Sequence, residues 1–293
     1  MMHLRFFLLL FCFPFLSYSQ TVCDLESKKR IEEISANFQG PDYASLTSGD
    51  LIAAIGNQFL GTPYVGKTLE LPGEEQLVIN LMEVDCTTFV ETVLALTITI
   101  KQGASDFQKV AATLEQMRYL NGSNTGYGSR LHYFSDWIFE NEKAGRLIHL
   151  SKSLGGIKSP NTPSFMSANP NSYSQLADPK NLASILEREV VLASREMYFI
   201  PKEKIHLIEN QLQNGDIVAI TTTIKNLDVV HAGFVVKQGE GVHLMHASSV
   251  SKKVVISSVS LQEYLMQNRS QTGILVSRLL VPSPKEFRRI GIL

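Results

Sequence analysis

The chain has 293 residues, 44% hydrophobic and 19% charged, with 27 basic and 28 acidic side chains giving a formal charge of −1. That length and apolar content support a real core and exclude a disordered chain, while the near-neutral balance excludes the long-range field that nucleic acid or an anionic membrane surface would call for. Three cysteines are too few for a disulfide framework or a four-cysteine zinc site, so each is judged separately.

Residues 1–19 read as a secretory signal peptide. Arg5 is a minimal positive region, 6–16 is an apolar run too short to span a bilayer, and Ser17 and Ser19 suit cleavage before Gln20. Cys12 would leave with this segment. Phe11 before Cys12 and Val22 before Cys23 are too bulky for a lipid-modified cysteine. An uncleaved anchor is the alternative, because one arginine is a weak n-region. No later stretch is long and apolar enough to span a bilayer, so the expectation is one domain over 20–293, exported to the periplasm or secreted, with no membrane contact after cleavage.

Residues 24–60 look helical: Ile31, Ile34 and Phe38 fall at helical spacing, as do Leu51, Ile52, Ile55, Phe59 and Leu60. Gly61-Thr62-Pro63-Tyr64 ends that stretch. Residues 86–100 carry the stripe Phe89, Val90, Val93, Leu94 and Ile98 with a polar opposite side. A helix over 107–120 turns Val110, Leu114 and Met117 inward, and 132–144 is a helix bearing the one tryptophan. The Pro-, Asn- and Ser-rich 155–180 segment reads as a long surface loop, and 182–194 and 202–212 as helices. Then the character changes. Residues 216–222, 229–236, 242–247, 253–259 and 274–280 are short alternating or apolar runs between turns, the pattern of antiparallel strands. Helices first and strands later is an α+β arrangement.

Asp85 is a good N-cap, which places Cys86 in the first turn of its helix, where the dipole and free amides favour a thiolate nucleophile and an oxyanion. Taken alone, such a cysteine is as readily a small buried hydrophobe. His231 lies in a strand-like run beside small Ala232 and Gly233, and His246 lies on the next strand. A turn tip at 238–239 sets the two histidines directly opposite; a tip at 239–240 makes them diagonal neighbours; a one-residue slip separates them onto opposite faces. Two imidazoles on one face suit a base and its orienter. A lone strand histidine is more often structural, but two at compatible positions with a helix-start cysteine weaken that reading. No metal is expected: His243 and His246 point to opposite faces, and His132, His149 and His206 have no ligand spacing. No cofactor is implied.

These residues resemble those of the NlpC-type papain-like cysteine peptidases of bacterial cell walls. Asp85-Cys86-Thr87-Thr88-Phe89, Gly215-Asp216, His231-Ala232-Gly233 and His246-Ala247-Ser248 follow that pattern in order, and Gly61-Thr62-Pro63-Tyr64 is similar to its Gly-x-Pro-Tyr element. The finer resemblance is to an N-acetylmuramoyl-L-alanine amidase-like branch. It rests on the runs 85–91, 130–137, 227–233 and 273–278, with Thr87 as in that branch and Asn226 where a glycine is expected. The resemblance implies a papain-like fold with helices packed on an antiparallel sheet. It implies Cys86 as nucleophile, His231 as base, His246 as its orienter, and Tyr64 with the Cys86 amide at the oxyanion. The substrate would be the amide between (anhydro-)N-acetylmuramic acid and L-Ala in peptidoglycan fragments, cleaved through an acyl-enzyme. Arg130 suits a carboxylate, His132 the role of hydrogen-bond donor and Trp137 a sugar face, although Trp137 and Tyr133, four apart on a helix, equally suit core packing. The alternatives are a γ-D-Glu-diamino acid endopeptidase with the same machinery, or an inactive wall-binding module.

Overall fold

The structure, a computed structural model, describes residues 21–281 apart from 41, 42, 44, 105 and 240; the signal peptide read at 1–19 lies outside the described residues. The first four helices begin where a side-chain oxygen takes over a free amide of the first turn. Asp24 accepts from Ser27 N to start α1 (Leu25–Asn37), and Thr47 from Asp50 N to start α2 (Ser48–Asn57). Asp85 starts α3 (Cys86–Lys101) and Asp106 starts α4 (Phe107–Arg118) in the same way. They are followed by α5 (Phe134–Lys143), the short α6 (Phe165–Ala168), α7 (Pro179–Ala193) and α8 (Leu261–Met266).

β1 (Thr21–Cys23) and β2 (Leu77–Ile79) form a small parallel pair. Among the described residues the main sheet has eight strands, all antiparallel. They are β3 (Leu147–His149), β4 (Ile157–Lys158), β5 (Tyr198–Pro201), β6 (Ile217–Thr222), β7 (Val229–Gln238), β8 (Gly241–Ser248), β9 (Lys253–Ile256) and β10 (Gln271–Leu279). Their order is β4-β5-β10-β6-β7-β8-β9, with β3 also paired to β10. The α+β expectation therefore holds.

Both faces of the sheet are covered, which is why its strands read as apolar on both sides. Ile217, Ala219, Ala232, Phe234 and Met245 pack into the cluster that contains α1 to α5. Their alternating neighbours Val218, Ile220, Val235 and Leu244 pack against Ile205, Leu212, Leu261 and Leu265. At the lip of β6, Gly215 takes φ +75, and an added Cβ there would strike the backbone of Gly49. Next to it Asp216 is fully buried and meets the fork of Arg278, with Nε at 2.7 Å and Nη2 at 2.9 Å.

Several expectations are corrected. The polar side of α3 is buried like the rest of it: Thr97 and Thr99 return their hydroxyls to Val93 O and Ala95 O, at 2.8 and 2.7 Å, and Glu91 pairs with Arg118 at 2.8 Å. The 155–180 segment is not a surface loop. It contributes β4, α6 and two 3-10 turns, and sinks Met166 and Leu176 into a cluster with Tyr127, Tyr133, Ile185 and Leu192. Apolar side chains dispersed among Pro, Asn and Ser carried too weak a period to show this. The helix expected at 202–212 is a 3-10 turn over Lys202–Leu207, and the strand expected at 253–259 ends at Ile256.

Glu91 and Arg118 are each 2% exposed. Removing one partner strands a buried charge, which costs about 3–5 kcal/mol, whereas replacing both with apolar groups costs far less. Arg118→Met is therefore expected to lower the urea-unfolding free energy by about 3 kcal/mol or more, and Glu91→Leu/Arg118→Met to regain most of it. An unchanged midpoint in the single variant would show that the pair carries no stability.

Candidate functional site

Asp85 closes a reciprocal cap on α3: its Oδ1 accepts from Thr88 N at 2.8 Å, and Thr88 Oγ1 accepts from Asp85 N at 2.9 Å. Cys86 is thereby the first residue of a buried helix. Its thiol is hydrogen-bonded to the backbone of Ala232, on β7 beside His231. Burial and the Asp85 charge push the thiol up to about 12 from 9.0. Desolvation and Asp85 thus oppose the thiolate that the helix start favours.

β7 and β8 pair Phe234 with Met245 and Gln238 with Gly241, the second of the two expected registers. The histidines are diagonal neighbours on one face, and His231 Nε2 stands 2.6 Å from His246 Nδ1, rings at 86°. Gly233 makes this possible, since an added Cβ would lie 2.9 Å from His246 Cβ and 2.5 Å from Met245 O. Burial, reinforced by His246, holds His231 down to about 3, and burial holds His246 down to about 4. Both are neutral at pH 7. Because His246 occupies Nε2 of His231, Nδ1 is the ring nitrogen left for another proton. Tyr264 packs edge-on to His246 at 5.2 Å and was not singled out from the sequence, because the short α8 carrying it had no helical period to announce it.

Cys86 and His231 line a cleft of about 280 Å³ between α3, the 130–134 segment, α6 and the start of β7. Larger hollows exist, one of about 540 Å³ at Phe139 and His149 and one of about 1130 Å³ at Glu74 and Asn124, but neither contains a candidate nucleophile. Tyr64 bridges to Val84 and donates its backbone N–H to Lys252 O, so it sits beside the α3 start; the charges of Cys86 and Asp85, after burial, raise its phenol.

Arg130 and His132 line the cleft, as expected, but neither is free. Arg130 lies 2.5 Å from Glu70 and 3.1 Å from Glu75, so its charge is already matched. His132 Nε2 meets the Tyr127 carbonyl at 2.8 Å and so carries the proton there; burial and Arg130 hold the ring well below 6.5, leaving Nδ1 as an acceptor rather than the expected donor. Trp137 is 1% exposed and stacks on Phe134 at 5.0 Å in the main core, so it presents no face to a sugar. The rest of that run is scaffold as well: Tyr133 donates to Glu189 at 2.6 Å, and Asp136 holds Arg188 and Arg195.

Asp228, unremarked within the 227–233 run, is buried and accepts from Ser135 N and Val229 N, both at 2.8 Å. It thus caps α5 from outside and fixes the approach to β7. Asn226 takes φ +67, the conformation for which a glycine was expected. Lys67, on the opposite lip, is exposed at φ +64 and is a further cleft residue that the sequence did not reveal.

A family model described as N-acetylmuramoyl-L-alanine amidase-like (AmiA-like) matches residues 54–274. No curated protein matches the chain. The structure is similar to that of an N-acetylmuramoyl-L-alanine amidase from Bacteroides uniformis, 40% identical over 79% of this chain and 98% of that one, with a TM-score of 0.76. A Bacteroides fragilis protein provisionally called a xylanase is 39% identical over 76% of this chain and 98% of that one, with a TM-score of 0.71. A Legionella pneumophila protein, 23% identical over 88% of this chain and 96% of that one, shares the fold with a TM-score of 0.67. With the family match running from α2 through the cleft and the sheet into β10, the chain belongs to the N-acetylmuramoyl-L-alanine amidase-like family.

Proposed function

We propose that the chain is an exported cysteine amidase of the NlpC-type papain-like kind, acting on peptidoglycan fragments. The scissile bond is the amide joining the lactyl group of (anhydro-)N-acetylmuramic acid to L-Ala. The observation that carries this is the 2.6 Å contact between His231 Nε2 and His246 Nδ1, beside a capped helix-start cysteine. His231 takes the Cys86 proton on Nδ1, and its Nε2–H then donates to the bare Nδ1 of His246, which steadies the imidazolium. The sulfur attacks the lactyl carbonyl. The oxyanion is received by the Cys86 amide and Tyr64. His231 returns the proton to the amine of L-Ala, which leaves as the new peptide N-terminus. Water, deprotonated by the same imidazole, hydrolyses the acyl-enzyme.

A glycosidase reading, raised by the name of the Bacteroides fragilis relative, has less support. Glycoside hydrolysis calls for two available carboxyls. The cleft carboxylates are engaged: Glu70 by Arg130, Glu91 by Arg118, Asp85 by Thr88 N, and Asp228 by Ser135 N and Val229 N.

Incubated with a defined muropeptide, the protein is expected to release a peptide whose mass and N-terminus begin at L-Ala; Cys86→Ala is expected to lower that rate by on the order of 10⁴-fold or more. A product cut between D-Glu and the diamino acid would point to endopeptidase action, and full activity in Cys86→Ala would refute the nucleophile.

The pH dependence has a definite sign. His231 and His246, at about 3 and about 4, remain neutral through weakly acidic solution, so kcat/KM is expected to hold from pH 8 to about 5 and to fall below that. Stability moves first: the unfolded chain binds protons on these histidines from pH 6.5 downward while the folded chain does not, so folding weakens between 6.5 and 3. Cys86, at about 12, should be alkylated by iodoacetamide at a rate that climbs steadily from pH 7 to 10. A plateau reaching down to pH 5 would instead reveal a resting thiolate–imidazolium pair.

A further inference from the structure

Among the charged groups that line the Cys86 cleft, the carboxylates and arginines are engaged within the fold, as described above. Lys67 differs. Among the described residues no carboxylate lies within ion-pair distance of its ammonium, which makes a long contact, 3.5 Å, to the Ser172 carbonyl. That contact reaches from the lip after Tyr64 to the segment before Tyr173, which forms part of the facing wall, so the side chain spans the mouth of the cleft. The backbone at Lys67 has φ +64, a region in which a glycine would be unstrained and a lysine is not. A charged side chain held in a strained conformation over a cleft, with only a neutral carbonyl to meet it, is a group waiting for an anion.

Resting on the amidase reading above, we propose that Lys67 is a specificity residue that binds a free carboxylate of the stem peptide. In a muropeptide the residue after L-Ala is a glutamate joined onward through its γ-carboxyl, which leaves its α-carboxylate free one residue beyond the scissile amide. Arg130, whose guanidinium suits such a carboxylate, is neutralised by Glu70 and Glu75. Lys67 replaces it in that role. Binding exchanges the long contact to Ser172 O for a charge-assisted hydrogen bond, which is stronger and depends on the substrate's charge.

Two muropeptides that differ only in this group, the free α-carboxylate and its amide, test the assignment. The wild-type protein is expected to cleave the acid with a KM about tenfold lower than the amide, at similar kcat, with the difference shrinking in high salt. Lys67→Met is expected to raise KM for the acid to that of the amide while leaving the amide's kinetics unchanged, and Lys67→Arg to restore most of the preference. A merely structural lysine would lower activity on both substrates together. Equal KM values in the wild type, or equal losses in Lys67→Met, would overturn the assignment while leaving the amidase reading intact. If the wild type cuts neither muropeptide at the muramoyl–L-Ala bond, the amidase reading itself fails and this one falls with it.

Discussion

The burial of α3 is the constraint on which the rest depends. This helix passes between α2, α4 and the sheet with Phe89, Val90, Val93 and Leu94 fully enclosed, and it begins at the cysteine. A helix end favours a thiolate by roughly 0.3–1 kcal/mol, up to about 2 in a good partly buried geometry. Burial and the Asp85 charge act in the other direction and push the thiol up from 9.0 to about 12. Desolvation, with the adjacent Asp85, therefore works against the helix end and favours the neutral thiol. The same burial keeps His231 and His246 neutral. In the mechanism proposed above, proton transfer from sulfur to imidazole is then driven at the moment of reaction, when each new charge gains the other as its partner and the His231–His246 contact steadies the imidazolium.

That dependence explains how the residues of the 130–137 run are used. A weakly populated ion pair is productive only if the groups around it do not move, because a small displacement costs more than the transfer can return. Arg130 clamps Glu70 and Glu75, His132 the Tyr127 carbonyl, Tyr133 the Glu189 carboxylate, and Asp136 two arginines of the α7 region. Asp228 ties the entry to β7 onto the start of α5. Together these contacts fasten the 155–195 region, the α5 segment and the histidine strand into one wall. A run of charged and aromatic residues that looks like a substrate platform is mostly the frame that holds the cleft in place.

The sequence was most legible where a local rule decides the outcome. Asp85 before an apolar stripe locates α3 and the cap, and short apolar runs between turns locate β6, β7 and β8 because each buries both faces. The histidine register was narrowed to two turns, of which the structure has the one that makes the imidazoles diagonal. Legibility ended where long-range packing decides. Short edge strands such as β3 and β4 take their conformation from β10 and β5 rather than from their own residues. Met166 and Leu176 lie in a composition that reads as loop. Charge is the least legible property of all: nothing near Arg130 in sequence says that Glu70 and Glu75 will neutralise it, and nothing near Lys67 says that no carboxylate among the described residues will pair with it.

The scarcity of cysteine, three in the whole chain, has a physical consequence. Cys23 and Cys86 are both free thiols. Oxidation and disulfide exchange proceed through the thiolate, so a thiol held up at about 12 reacts slowly with any oxidant that lacks an adjacent base. Cys23, pushed up to about 11 by burial and Asp24, is similarly quiet. A protein that kept its nucleophile as a standing thiolate would be faster to ionise but exposed to oxidation whenever the cleft is empty. On the proposed mechanism the base, His231, sits in the same buried cleft, neutral, and the charge that makes sulfur reactive is created only when a carbonyl is in position to receive it. Burial of the helix start thus serves both ends at once: it lowers the resting reactivity of the thiol, and it strengthens the attraction that stabilises the charge pair once the proton has moved.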